Sequence, residues 1–352
     1  EASDVHIEPQ RKKLRIRFRV DGELREVASL PAEVAHPLIS RVKVMAQLRL
    51  DEERVPQGGR FRSTVFGRNI DFRVSTFPTP AGEKVVIRVL DPTIGMKSLE
   101  ELGLNSYHKK PFIEAIESPH GMTLMTGPTS SGKTTTLYAV INRLNKESVN
   151  IVSLEDPVEY FIEGVNQSQV MPDIGYDFAS GLRRILRQDP DIIMVGEIRD
   201  GETASLAVNA ALTGHLMLST LHTNSSIGVI PRLIDLGVPP FLLSSSLNMM
   251  AAQRLVLKLC PNCKFKKEAP EKVAEVMERE FEQLSQNIKD QLDVDFERPY
   301  EVYDTSPDEN CEICNGQGNS GRTALFEMFQ MTKRLGGIIT DEFDENDLLD
   351  EA

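Results

Sequence analysis

Eight residues constrain this chain more than any other stretch: Gly127-Pro-Thr-Ser-Ser-Gly132-Lys133-Thr134. Before them, His120 to Thr126 is a short apolar run suited to a buried strand. After them, Leu137, Val140, Ile141 and Leu144 recur at helical spacing. Strand, G-x-x-x-x-G-K-T and helix, in that order, are the context of a phosphate-binding loop. Its glycines let backbone N–H groups converge on an anion, and the helix N-terminus adds a favourable dipole. The pattern assigns Lys133 to the β- and γ-phosphates of a nucleotide and the Thr134 hydroxyl to Mg²⁺. Gly127, Pro128, Thr129, Ser130, Ser131, Gly132 and Thr135 complete the expected nucleotide-binding set. The alternative is a glycine-rich turn that binds nothing; the Lys-Thr register and both flanks argue against it.

At 352 residues the chain exceeds what a single core usually organises, so two or three domains are expected. Its hydrophobic content of 40% is ordinary for a globular protein, and no apolar run approaches the roughly 20 residues that cross a bilayer. The first residues, Glu1 to Pro9, are polar, carry no secretory signal and lack a starting Met, which suggests an excised fragment. A net charge of −13 argues against a general nucleic-acid-binding role. All four cysteines fall in two Cys-x-x-Cys pairs, a pattern that beside a phosphate loop points to metal and a reducing compartment rather than to disulfides.

Leu14, Ile16, Phe18 and Val20 alternate with Lys13, Arg15, Arg17 and Arg19, and Asp21-Gly22 supplies a hairpin turn toward Leu24 and Val27. The arginine row is either a phosphate contact or, as is commoner, the solvated face of a half-buried sheet. A helical pattern over residues 32–48, interrupted near Pro37, presents Leu38, Val42, Met45 and Leu48. Strands follow at Phe61–Phe66, Asn69–Ser75 and Glu83–Leu90, so residues 1–90 read as a small α+β domain. Asp91 to Gly95 opens a linker over 91–104. Apolar runs at Asn150–Leu154, Asp191–Val195 and His215–Leu221 then alternate with helical stretches near 177–188 and 201–213. That is the signature of a mostly parallel sheet covered on both faces, here over 105–259. Further helices are expected at 225–236 and 240–256. In the charged stretch 264–310, Val273, Val276, Met277, Phe281, Leu284 and Ile288 mark one apolar helix face, and the acidic residues from Thr340 onward read as a poorly ordered tail.

Hydrolysis at a phosphate loop needs carboxylates at neighbouring strand ends. Glu155-Asp156-Pro-Val-Glu159 follows one expected strand and Glu197-Ile-Arg199-Asp200 another, and in a parallel sheet both ends share the edge that carries the loop. One carboxylate can hold the Mg²⁺ shell while another orients the attacking water. His215 and His222 bracket a further strand; their spacing makes no metal pair, and lone histidines are ordinarily hydrogen-bonded structural residues.

With Arg184-Ile-Leu-Arg187-Gln-Asp-Pro-Asp-Ile-Ile-Met-Val-Gly-Glu-Ile-Arg-Asp200 and Thr213 to Thr223, the chain resembles the secretion ATPase superfamily, within it the hexameric motors of type II secretion and type IV pilus assembly. Phosphate loop, acidic box (155–159), Walker-B-like stretch (192–197) and histidine box (215–222) match in order. Ala2 to Pro9 and Arg54 to Gln57 match the family's second N-terminal domain, and the likeness spans residues 2–335. It implies an α/β fold: a RecA-like P-loop NTPase core with an N-terminal α+β (PAS-like) domain and a tetracysteine zinc subdomain. It also implies ATP as the nucleotide. Glu159 matches the water-activating glutamate and Glu197 the Walker-B glutamate that acts on Mg²⁺ through its waters. Arg73 and Arg88 match arginines that close over the γ-phosphate, as an arginine finger does. Arg183, Arg187, Arg199 and Arg232 match arginines near nucleotide or subunit contacts, with plain ion pairs an equal alternative. His215 and His222 match histidines that couple nucleotide state to domain motion.

Cys260, Cys263, Cys311 and Cys314 can supply four thiolates to one structural Zn²⁺, as in the family's tetracysteine subdomain, which is followed by a Gly-Arg and a Glu like Gly321-Arg322 and Glu327. The departure is the 47-residue gap (264 to 310) between the pairs, longer than the family leads one to expect. The expected boundaries are 260–325 for this subdomain and 326–352 for a C-terminal helical segment and acidic tail. The function so implied is an ATP-hydrolysing homo-hexamer powering type IV pilus assembly from the cytoplasmic side of the inner membrane. It would be held there peripherally by a platform protein and the pilin or pseudopilin machinery. Alternatives are a type II secretion pseudopilus motor, a pilus-retraction motor, which generally lacks the cysteines, a DNA translocase, disfavoured by the acidic charge, and a nucleotide switch without turnover, disfavoured by Glu159 and Glu197.

Overall fold

Alternating apolar and charged residues build the first of two large sheets. The computed structural model describes residues 2–20, 22–91, 97–284, 286, 289, 296–340 and 348; Asp21, residues 92–96 of the expected linker, Ile288 and nearly all of the acidic tail lie outside them. Strands β1 (Ala2–Pro9), β2 (Lys13–Val20), β3 (Glu23–Pro31), β4 (Gln57–Val65), β5 (Arg68–Thr79) and β6 (Gly82–Leu90) form a six-stranded antiparallel sheet in the order β3-β2-β1-β6-β5-β4. The helix Ala35–Met45 covers one face, where Ile39 and Val42 pack with Ile7, Leu14, Val74 and Val85. Pro37 does not interrupt that helix: it sits in the first turn, where its missing N–H costs no intrahelical bond.

Strand β1 alternates only over Asp4-Val5-His6-Ile7-Glu8, with Val5 and Ile7 as its two apolar members inside the alternation, too short a signal for patterning to assign, and its polar side chains are buried. Asp4, His6 and Glu8 are each 9% exposed or less. The arginine row lies on a partly solvated face and is tied down by ion pairs: Glu8 accepts from Arg15 Nε at 3.0 Å and from Arg17 Nε and Nη2 at 2.9 and 2.8 Å, and pairs with Lys84 at 3.0 Å. Burial pushes the Glu8 carboxyl up, but the hydrogen bonds from Arg17 and Lys84 outweigh it and hold the group at about 2.

The second sheet holds β7 (Gly121–Thr126), β8 (Ile151–Glu155), β9 (Asn166–Gln169), β10 (Ile192–Val195), β11 (Leu216–Thr220), β12 (Leu247–Leu259) and, after a small module, β15 (Asn319–Gln330), in the order β15-β12-β7-β11-β10-β8-β9. All neighbours are parallel except β12 and β15. Helices Ser106–Ile116 and Lys133–Leu144 bury one face through Phe112, Ile116, Leu137 and Ile141. Phe178–Ile185, Gly201–Leu212, Val229–Asp235, Pro240–Ser246 and Lys333–Thr340 bury the other. The register pairs Leu154 with Val195, Val195 with Ser219 and Met125 with Thr220, so the C-terminal ends of β8, β10, β11 and β7 finish level along one edge.

The helix expected over 240–256 ends at Ser246, and β12 takes its place. The run Met249 to Ala252 is apolar without alternation because it lies between β7 and β15 with both faces covered, and such a run looks alike as buried strand or buried helix. Strand β15 also crosses 325/326, where patterning drew a boundary.

Between β12 and β15, β13 (Lys264–Glu268) and β14 (Glu301–Thr305) pair antiparallel beside the helix Glu271–Gln283. Val273 and Val276 of that helix are exposed, contrary to the single apolar stripe expected. The helix is held instead by buried Ala274, by Phe281 stacked on Phe296 at 3.8 Å, and by Arg298 bonded to Glu271 and Glu278.

Candidate active site

The strand β7 delivers the chain into the loop 127–132, and the helix that follows begins at Lys133 with Gly132 as its left-handed cap (φ 91°). Glycine is required at both ends of the loop. Gly127 has φ 129°, and a Cβ there would lie 2.4 Å from the Gln253 carbonyl oxygen; at Gly132 it would meet Gln253 Nε2 at 2.8 Å. Strand β12 thus props the loop from behind through Gln253, which also accepts from Thr136 Oγ1 at 2.8 Å. Lys133 Nζ donates to the carbonyls of Gly127 (2.8 Å) and Pro128 (3.0 Å), and among the described residues it forms no ion pair. Burial pushes its pKa down, opposed by the charge of Glu197. Ser131 Oγ is buried without a hydrogen-bond partner among the described residues. A buried, uncompensated ammonium and an orphaned hydroxyl fit a bound phosphate group.

A cleft of about 620 Å³ opens on the loop, lined by residues 129–135 together with Arg88, Glu155, Glu159, Glu197 and His222. The level strand ends bring these groups together. Glu197, just past β10, accepts from Arg199 Nη2 at 2.5 Å and lies 3.2 Å from His222 Nε2. Burial pushes its carboxyl up, but Arg199 and His222 outweigh burial and hold it below the ordinary value, so it is ionised at neutral pH. Thr134, exposed on the first turn of the helix, and Glu197 line the same cleft and offer oxygen donors suited to Mg²⁺.

Glu155, at the end of β8, is 3% exposed and accepts from Tyr138 OH, Ser153 Oγ (2.6 Å) and Gln167 Nε2 (3.1 Å). Glu159 is more open and faces the other sheet: Arg73 Nη2 lies 3.6 Å from its Oε2 and donates to the Val158 carbonyl at 3.2 Å. Arg73 Nε is buried without a hydrogen-bond partner among the described residues, and burial pushes the guanidinium pKa down against the pull of Glu159. Arg88 lines the cleft, bonded through Nε to Asp4 Oδ1 at 3.0 Å.

The other expected residues fall outside this cleft. Arg183 pairs with Glu202 between neighbouring helices, and Arg187 and Arg232 are exposed. His215 Nδ1 lies 3.0 Å from the Ala210 carbonyl, at the end of the helix Gly201–Leu212. Arg199 reaches Asp156 at 4.0 Å as well as Glu197, so it bridges the acidic box and the Walker-B-like stretch. Patterning passed over Tyr138, Gln167 and Gln253. Only Tyr138 carried a signal, lying one helical turn beyond Thr134.

Cys260, Cys263, Cys311 and Cys314 are buried, none is disulfide-bonded, and their sulfurs lie within 4.8 Å of one another. Cys260 Sγ is 3.8 Å from Cys311 Sγ, and Cys263 Sγ is 3.5 Å from Cys314 Sγ. Tetrahedral zinc with Zn–S near 2.3 Å requires sulfurs about 3.8 Å apart, so the donor set fits that metal. The cysteines sit where the long insert leaves and rejoins β12 and β15, so the insert closes the site rather than separating its halves.

A second cleft of about 740 Å³ adjoins the first at Gly132, Thr135 and Leu255, and reaches Arg25, Cys314 and Arg322.

The profile of the family described as "Type II/IV secretion system protein" matches residues 1–352. Type II secretion system protein E of Pseudomonas aeruginosa is 47% identical over 351 residues, covering 100% of this chain and 66% of that protein. The Type IV pilus assembly ATPase PilB of Myxococcus xanthus is 44% identical over 358 residues, covering 100% of this chain and 60% of its own length. This chain therefore spans about two thirds or less of those relatives. Among solved structures, the pilus retraction motor PilT with bound ADP aligns at 25% identity and a TM-score of 0.63, covering 99% of this chain and 84% of that one. The Legionella pneumophila ATPase DotB shares the fold at 21% identity and a TM-score of 0.68, covering 99% and 82%. With the profile matched from end to end, this chain belongs to the type II/IV secretion system protein family.

Proposed function

We propose that this chain is the ATP-hydrolysing part of a hexameric motor serving the type II secretion and type IV pilus machinery. The observation that carries the reading is the single cleft in which Lys133, Glu159, Glu197 and Arg88 face the phosphate loop. The loop N–H groups and Lys133, released from the Gly127 and Pro128 carbonyls, bind the phosphates. Glu159 takes a proton from water as the water oxygen bonds to the γ-phosphorus and the bond to the β–γ bridging oxygen breaks, giving ADP and phosphate. Thr134 and, through water, Glu197 would hold Mg²⁺, which when bound neutralises phosphate charge. Arg88 and Arg73, supplied by the first sheet, offset the charge of the transition state. The adjoining cleft takes the base and ribose. Arg183, Arg187 and Arg232 serve contacts between subunits, and His215 and His222 couple cleft and sheet. The four cysteines hold a structural zinc.

Of the two machines we favour secretion, because the Pseudomonas relative named for it is 47% identical against 44% for PilB, the match that carries pilus assembly as the second reading. No described helix is long and apolar enough to cross a membrane, and we place the chain at the cytoplasmic face of the inner membrane, held there by a platform protein and the pseudopilin machinery. Phosphate release tests the chemistry. Glu159→Gln is expected to bind ATP as the parent does and to hydrolyse it about 100-fold more slowly or worse; an unchanged rate would remove Glu159 as the base.

A further inference from the structure

The acidic box offers two glutamates, and the fold treats them in opposite ways. Glu159 opens toward the cleft and the first sheet, whereas both Glu155 oxygens are occupied inside the protein. Burial pushes the Glu155 carboxyl above its ordinary value against the pull of its three donors. A group so enclosed is poorly placed to meet water.

Two of its donors reach on to the segment that carries Glu159. The Glu159 N–H donates to Tyr138 OH at 3.2 Å, while that hydroxyl donates its own proton to Glu155. Gln167 donates through Nε2 to the Tyr160 carbonyl at 3.2 Å, and its Oε1 accepts from the Ile162 N–H at 2.7 Å. The Tyr138 ring, 1% exposed, meets Tyr160 edge-on with centroids 4.5 Å apart. Residues 159–162 therefore hang from Glu155 by two side chains, one of them rooted in the helix that begins at the phosphate loop.

We propose that Tyr138, backed by Glu155 and Gln167, is a positioning residue that sets Glu159 at a fixed place relative to the phosphate loop. The inference rests on Glu159 as the base. Tyr138 stands on the same helix as Lys133 and Thr134, so one rigid element positions both the phosphate-binding groups and the group that activates water. Displacement of a reacting group by about 1 Å costs up to about 100-fold in rate, so a hydroxyl that touches no substrate can govern turnover. Removing it leaves the Glu159 N–H without its acceptor and Glu155 with one donor fewer.

The test uses Tyr138→Phe, which deletes one oxygen and keeps the ring, and independently Gln167→Met, each alone and in a Glu159→Gln background. Each single variant is expected to lower kcat about 10- to 100-fold. KM and the affinity for a fluorescent ATP analogue should stay within about twofold of the parent, since the phosphate loop is untouched. In the Glu159→Gln background, followed by single-turnover phosphate release, neither change should lower the residual rate more than about twofold, because a positioning residue has nothing left to position. Parental kcat in both variants overturns the proposal, and so does a full further loss in the Glu159→Gln background, which marks a general structural effect. Should Glu159→Gln alone hydrolyse ATP at the parent rate, it is the assignment of the base that fails.

Discussion

The tetracysteine cluster and the phosphate-loop cleft are both assembled from distant parts of the chain, yet they are finished to different degrees. The cysteines form a closed site: four buried sulfurs converge, and a tetrahedral ion would leave no open position. The cleft is an open site. Lys133 rests on its own loop carbonyls, Ser131 Oγ has no partner among the described residues, and Arg73 rests on Val158 and Glu159 rather than in the cleft lining. Closed sites hold a fold together, whereas open ones leave charges to be satisfied by a ligand or by movement. On the proposed function, the four cysteines serve stability and the edge of β7, β8 and β10 serves turnover.

Metal removal should break that comparison most strongly. Structural zinc is worth about 10 kcal/mol or more of folding free energy to a small module. Chelation is therefore expected to make all four thiols reactive toward a thiol reagent and to melt the β13–β14 module, while a purified sample holds one zinc per chain. Thiols that remain protected after metal is stripped would mean that the cluster is held by packing alone.

Glu197→Gln addresses the open site. With its carboxylate kept ionised by Arg199 and His222, loss of that charge is expected to slow hydrolysis about 100-fold with little effect on thermal stability. A marked fall in melting temperature with turnover intact would class Glu197 with the closed, structural groups.

The smallest effect sharpens the contrast on the first sheet. Glu8 is held at about 2 against an ordinary 4.5, so it contributes stability that is full above about 4.5 and is lost as pH falls through about 2. Glu8→Gln should cost about 3 kcal/mol at pH 7, since it strips the partner from Arg15, Arg17 and Lys84, and the difference from the parent should vanish near pH 2. A penalty independent of pH would place the effect in packing rather than charge.

What was legible in the sequence was local. Gly127 to Thr134 and the cysteine pairs carry their chemistry in spacing alone, and β8, β10 and β11 are short apolar runs with clear ends. Strand β1 escapes patterning because its alternation is short, with only Val5 and Ile7 between Asp4, His6 and Glu8, and the arginines that bury those polar groups come from a neighbouring strand. Strand β12 reads as helix from its sequence because a run buried on both faces has no period to read. The contacts of Arg73 with Glu159, of Tyr138 with Glu155 and of Gln253 with Gly127 join residues 17 to 126 positions apart, so only the folded chain displays them. Arg183, Arg187 and Arg232 are exposed and do not line the cleft, a placement that their spacing in the sequence does not reveal.

The central claim is that phosphate cleavage at the second sheet needs cations delivered by the first. Single-turnover hydrolysis by the Arg73→Ala/Arg88→Ala double variant tests it most directly. ATP is expected still to bind the phosphate loop while the rate of cleavage falls about 1,000-fold. Cleavage at the parent rate would contradict it.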